Sequence, residues 1–90
     1  MPYIKPEKRP VIDCLVEPIL DNLDSMDEGD LNYLFSCILW ERFLRNHRYA
    51  TLNSNVGILE CVKQEFYRRM GAPMEDEKIV ENGDILPDNP

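Results

Sequence analysis

Apolar residues recur at spacings of three and four through three stretches of the chain, and this period predicts an all-α protein. In the first stretch Ile12, Leu15, Ile19, Leu23 and Met26 form one stripe. Pro10 suits the first turn of a helix over about 10–25, where its missing N–H is no loss. Pro18 falls inside the stripe, so a kink or break is expected there. On the opposite side Glu17, Asp21, Asp24 and Glu28 recur at helical spacing.

Gly29 and a run of acids then read as a loop ending in a cap. Asp30 can accept the free N–H groups of a helix beginning at Leu31, with Asp27 the alternative cap. This second helix, about 31–46, carries two stripes: Leu31, Leu34, Phe35 and Ile38, and Tyr33, Cys37, Trp40, Leu44 and His47. Only Glu41, Arg42, Arg45 and Asn46 make a clear polar strip. A helix apolar on most sides is central in its fold or buried against another chain, and both are expected here. Tyr33, Cys37, Trp40 and Leu44 are therefore candidate interface residues.

Leu52, Val56, Leu59, Val62, Phe66 and Met70 define a third helix over about 51–70, ended by Gly71 and Pro73. Gly57 lies inside it at a cost of about 1 kcal/mol relative to alanine; close approach of another helix would explain it, as would plain tolerance. Met74–Asn82 fits a short helix stopped by Gly83. Short connections favour antiparallel neighbours. The expected architecture is a hairpin of the second and third helices with the kinked first helix laid against it. An extended arm (1–9) precedes this helical domain (10–70), and a C-terminal segment (71–86) and a disordered end (87–90) follow it.

Composition changes this picture in two ways. A chain of 90 residues forms one domain and only marginally stabilises itself, which raises the expectation of a homo-oligomer. With 43% hydrophobic and 30% charged residues it is globular rather than disordered. No apolar run approaches the ~20 residues that span a bilayer, so no membrane association is expected. The Met1–Pro6 segment has no apolar h-region, and Cys14, Cys37 and Cys61 are an odd set spread far apart. Both features point to a reducing, cytoplasmic setting.

Charge is unevenly distributed. The net −7 divides into +2 over residues 1–10, −7 over 11–35, +3 over 36–72 and −5 over 73–90. An acidic chain repels a phosphate backbone, so general DNA binding is not expected. Glu75, Asp76 and Glu77 follow Arg68 and Arg69 across Gly-Ala-Pro, which places opposite charges close together. Exposed pairs contribute only about 0–1 kcal/mol each. Met74, Ile79 and Val80 supply the apolar anchors for an amphipathic clasp, one that folds back on its own domain or onto a neighbouring chain.

Candidate chemistry is sparse. The cysteines and His47 have the ligand count of a zinc site but lack the paired C-x-x-C spacing, and each cysteine occupies an apolar helical position that suits core packing. The acidic stripe lacks the paired E-x-x-E and E-x-x-D patterns with which helical nucleotide pyrophosphohydrolases hold Mg²⁺, so it reads as a solvated face. No catalytic residue, metal or cofactor is expected. Tyr3, Lys5, Arg9, Arg68 and Arg69 supply an aromatic platform and positive charge for a nucleotide or partner, if folding brings them together. The alternative is that Arg68 and Arg69 favour their helix C-terminus and pair with Glu75–Glu77.

The segments PYIK (2–5), GDLNY (29–33), GILECVKQEFYRR (57–69) and EDEKIVENGDI (75–85) resemble a family of small uncharacterised proteins found mainly in tailed-phage genomes and related prokaryotic sequences. The resemblance covers nearly the whole chain. It departs from the family pattern at Met74, where a tyrosine is usual, and at Pro18. The family brings no activity with it. It implies a phage accessory role, and the leading expectation is a non-enzymatic host-takeover or anti-defence protein that binds a host protein. The alternative is an oligomeric sponge that sequesters a nucleotide immune signal between subunits, and a nucleotide pyrophosphohydrolase comes third.

Overall fold

Two carboxylates set the start of the helical hairpin. Asp27 Oδ1 accepts the Asp30 backbone N–H at 2.8 Å, and Asp30 Oδ2 accepts the Asp27 N–H at 3.0 Å. This reciprocal box satisfies free N–H groups at both positions, so helix α2 (Glu28–Arg45) begins about a turn before the apolar stripe does. The alternative cap, Asp27, is the one used.

The computed structural model describes residues 1–86 and is all-α, with no strand among them. A 3₁₀ turn (Pro6–Lys8) leads into α1 (Arg9–Asp21), and a second (Leu23–Ser25) links α1 to α2. Then come α3 (Tyr49–Phe66), a π turn (Tyr67–Gly71) and α4 (Ala72–Asn82). The N-terminal arm is thus extended only up to Lys5. The expected disordered end at 87–90 lies outside the described residues.

The helix stop expected at Gly71–Pro73 does not occur, and of the kink or break expected at Pro18 the break does not. Pro18 lies within α1, which continues to Asp21. Pro18 has no N–H to give the preceding turn, and its own carbonyl accepts the Asn22 side-chain amide at 2.7 Å. Nor do Gly71 and Pro73 end the third helix. The Tyr67 carbonyl accepts the Ala72 N–H, an i to i+5 bond that widens the helix by one residue. Pro73 thereby falls in the first turn of α4, where a missing N–H is tolerated. From Tyr49 to Asn82 the chain runs as one helix, about 50 Å long at 1.5 Å per residue. It stops at Gly83, whose φ of 85° favours glycine.

This continuity corrects the picture of the tail. No Cα of α4 comes within 8 Å of α1 or α2, so the tail is not a clasp on its own domain. Helix α1 is likewise not laid against the hairpin: it comes within 8 Å of neither α2 nor α3, Cα to Cα. Only α2 and α3 pack together, antiparallel across the short Asn46–Arg48 connection.

The consequence is an open subunit. Thr51 and Asn55 are buried, at 6% and 8% exposure, and no apolar residue is buried among the described residues. The radius of gyration is 18.0 Å, where a compact domain of this length has about 12 Å. The accessible surface is 8395 Å², where a folded monomer of this mass exposes about 5,500 Å².

Candidate functional site

The arm is fastened to the end of the long helix. The Tyr3 hydroxyl donates to Glu65 Oε1 at 2.9 Å, and Arg69 Nη1 reaches the same hydroxyl at 3.4 Å. Arg68 pairs with Glu65 one turn away. The Arg68 hydrogen bond, seconded by that of Tyr3, holds the Glu65 carboxyl below its ordinary value. Arg9 Nε donates to the Ile4 carbonyl at 3.0 Å and ties the arm to the start of α1. Folding therefore brings Tyr3, Arg68 and Arg69 together, with Arg9 bonded to the arm from the first residue of α1. Lys5 caps the first 3₁₀ turn outside this network.

The charges in this cluster are partly spent. Arg68 is neutralised by Glu65, which leaves Arg69 as the more available guanidinium. The Tyr3 side is 51% exposed, which keeps a ring face open for stacking. The expected pairing of both arginines with Glu75–Glu77 is not made: Glu75 Oε2 instead accepts the Tyr67 hydroxyl at 2.6 Å. This bond, more than the carboxylate's charge, raises the Tyr67 pKa. It spans the π turn and braces α4 against the end of α3.

A second surface lies at the hairpin. Asn55 Nδ2 donates to the Leu39 carbonyl at 2.9 Å, while Asn55 Oδ1 and Ser54 Oγ accept from Arg42 Nη1 at 2.8 and 3.2 Å. The α2–α3 crossing is therefore fixed by polar groups, and the apolar side chains beside it stay uncovered. Leu39, Trp40, Phe43, Leu52, Val56 and Leu59 line an open groove of about 420 Å³. The candidate interface residues lie on this helix and are open: Tyr33, Trp40 and Leu44 are 64–73% exposed, and Cys37 is exposed.

Sequence reasoning missed Asn55 and the role of Arg42. The available signal was the Thr51–Asn55 pair, four residues apart and adjacent to the Leu52–Val56–Leu59 stripe. The cysteines are another correction. Cys14, Cys37 and Cys61 are exposed rather than packed in a core, because the chain alone builds no apolar core. Among the described residues, no three His, Cys, Asp or Glu side chains group closely enough to hold a metal ion. Nor is any helix there long and apolar enough to cross a membrane. Of the tail residues, Met74 is 62% and Val80 87% exposed, and Lys78 pairs with Glu81. Asp76, Glu77 and Ile79 lie on α4 and are likewise exposed.

Residues 1–85 match a family described as a domain of unknown function, DUF6899. The chain belongs to the DUF6899 family. The match runs from the arm through α4, so the Tyr3 cluster and the long helix both fall inside the family domain. No curated protein and no solved structure matches the chain.

Proposed function

We propose that this DUF6899 protein is a non-enzymatic binding protein that works as a homo-oligomer and acts through protein–protein contact. The observation that supports this most is the lack of any buried apolar side chain among the described residues, together with large exposed side chains on every helix. So many exposed large apolar side chains are a mark of interaction surfaces. The surface above a compact monomer's is about 2,900 Å² per chain, more than the roughly 1,000–2,500 Å² per partner that most obligate interfaces cover. The motif resemblance to tailed-phage proteins supports a host-directed role, with a host protein as partner in an infected cell's cytoplasm.

A second reading, the nucleotide sponge, is favoured by the convergence of Tyr3, Arg68 and Arg69. A ring face beside a partly free arginine fits a base and phosphate. Native mass spectrometry of the purified protein tests both readings. An oligomer without a bound nucleotide is the expected result. A monomer at tens of micromolar overturns the self-assembled binding protein, and a co-purified nucleotide moves the assignment to the sponge. Metal-dependent nucleotide turnover overturns the non-enzymatic reading.

A further inference from the structure

Among the described residues, no hydrogen bond or ion pair joins residues 1–26 to residues 27–86 except the bonds of Tyr3 to Glu65 and Arg69. Neither α1 nor the 3₁₀ turn on either side of it has a Cα within 8 Å of α2, α3 or α4. The chain is thus two bodies, joined by the backbone at Met26–Asp27 and across space at Tyr3.

Each body is bonded internally up to that joint. Before it, the Asn22, Ser25 and Met26 N–H groups donate to the Ile19, Asn22 and Leu23 carbonyls, each at 3.1 Å. After it, the Asp27–Asp30 box and the Leu31 N–H on the Asp27 carbonyl begin α2. Met26 and Asp27 themselves are extended, with φ and ψ of −106° and 132° and of −94° and −176°. Hinges are built at such element-terminal positions, where a few residues absorb the change in φ and ψ.

The other end of the first body is stiff. Lys8 N–H donates to the Lys5 carbonyl and Arg9 Nε to the Ile4 carbonyl, both at 3.0 Å, and Pro2, Pro6 and Pro10 restrict φ. Movement at Tyr3 is therefore carried into α1, a lever about 20 Å long. Its fastening is sheltered. The Glu65 side chain is 25% exposed, whereas Glu41, Glu60 and Glu81, the carboxylates of the other ion pairs, are 50–61% exposed. Hydrogen bonds to a carboxylate are also roughly twice as strong as those between neutral groups.

We propose that Met26–Asp27 is a hinge and that the Tyr3 bond to Glu65 is the latch that sets the place of α1. With the latch closed, α1 keeps one direction relative to the hairpin. With it open, residues 1–26 swing as a unit about the joint and carry the exposed Val11, Leu15 and Leu20 with them. The tyrosine hydroxyl is the working part, because phenylalanine keeps the ring and loses the bond.

Pulsed electron–electron double resonance on the full chain tests this. Spin labels go on Cys14 of α1 and Cys37 of α2, both exposed, and Cys61→Ser removes the thiol one turn from Glu65. Labelled chains are co-refolded with an excess of unlabelled ones, so that only distances within one chain are read. The expected result is a single narrow distance distribution in the protein with Tyr3 and loss of that narrow peak in Tyr3→Phe, with helicity by circular dichroism unchanged. Glu65→Leu should broaden the distribution likewise, and the double variant should broaden it no further, because both changes remove the same bond. A broad distribution with Tyr3 in place overturns the latch. A narrow one in Tyr3→Phe overturns it equally, by showing that other contacts hold α1.

Discussion

The Tyr67 ring occupies the space a side chain at Gly71 would need. A Cβ built at Gly71 stands 2.6 Å from Tyr67 Cδ2. Glycine at this point of the π turn lets the ring lie across the helix and its hydroxyl reach Glu75. The bulge, the brace and the passage of Pro73 are thus one local solution to a proline inside a long helix.

Gly71→Ala should therefore lower the melting temperature, although alanine is the better helix former by about 1 kcal/mol. Either the ring rotates and leaves Glu75 or the π turn tightens against Pro73. In a Tyr67→Ala background the collision is gone, and the same Gly71→Ala change should raise the melting temperature. Circular dichroism melts of the four proteins check this, and equal shifts in both backgrounds would show that the ring does not matter.

The Tyr67–Glu75 bond also has a spectroscopic signature. Its acceptor carboxylate raises the folded pKa of Tyr67 above its unfolded value. The contribution of this bond is present below pH 10 and is lost as pH rises through the higher folded pKa. Ultraviolet titration should show one of the chain's four tyrosines ionising at lower pH in Glu75→Gln than in the parent protein.

At the acidic end the sign reverses. The Glu65 carboxyl has a folded pKa below its unfolded value because Arg68 and then Tyr3 hydrogen-bond to it. The arm's attachment is present above pH ~4.5 and is lost as pH falls through the lower folded pKa. Protection of the Tyr3, Ile4 and Lys5 amides, taken against the free-chain exchange rate at each pH, should fall at low pH, and Glu65→Gln should lower it already at pH 7. Slow exchange in that variant would mean that other contacts hold the arm.

Much of this fold was legible because it follows from local chemistry. The stripes of Leu31–Leu44 and Leu52–Met70 marked α2 and α3, and Asp27 was recognised as a possible cap. The wide apolar arc of α2 pointed to a helix that its own chain cannot cover. The rest depended on what the pattern does not carry. Gly71 and Pro73 have the composition of a helix stop, and only a π turn, worked out in three dimensions with Tyr67, lets the helix pass. The place of α1 was inferred from the assumption that one chain covers its own apolar stripes, and here that assumption fails. In the candidate site, Tyr3 and the two arginines were nameable from residue type. The Glu65 bond that joins them crosses nearly the whole chain and leaves no local trace.

The polar crossing makes Asn55 the most sensitive position in the hairpin. Asn55→Ala removes the acceptor for a part-buried Arg42 bond and a donor to the Leu39 carbonyl. Arg42 is exposed and keeps Ser54 Oγ as an acceptor, so the loss is that of net hydrogen bonds, about 0.5–1.5 kcal/mol each. Urea unfolding should show a loss of this size, while Asn53→Ala, at an exposed position one residue from Ser54, should change stability by less than about 0.5 kcal/mol.

Helix α4 adds length to the long helix and comes within 8 Å, Cα to Cα, of no helical element except the π turn it continues. Deleting residues 74–90 should therefore leave the α2–α3 hairpin intact, with helicity falling only by the residues removed. Its effect belongs to the assembly instead. Met74 and Val80 are 62% and 87% exposed and stand on a segment whose other residues are mostly acidic. If that apolar strip is covered, another chain covers it. Truncation is expected to change the oligomeric mass measured by light scattering, with the hairpin's own unfolding midpoint nearly constant at matched oligomeric state. Unchanged mass would leave α4 as a free acidic helix and shift attention to a basic partner, which Glu75→Lys with Glu77→Lys would then repel.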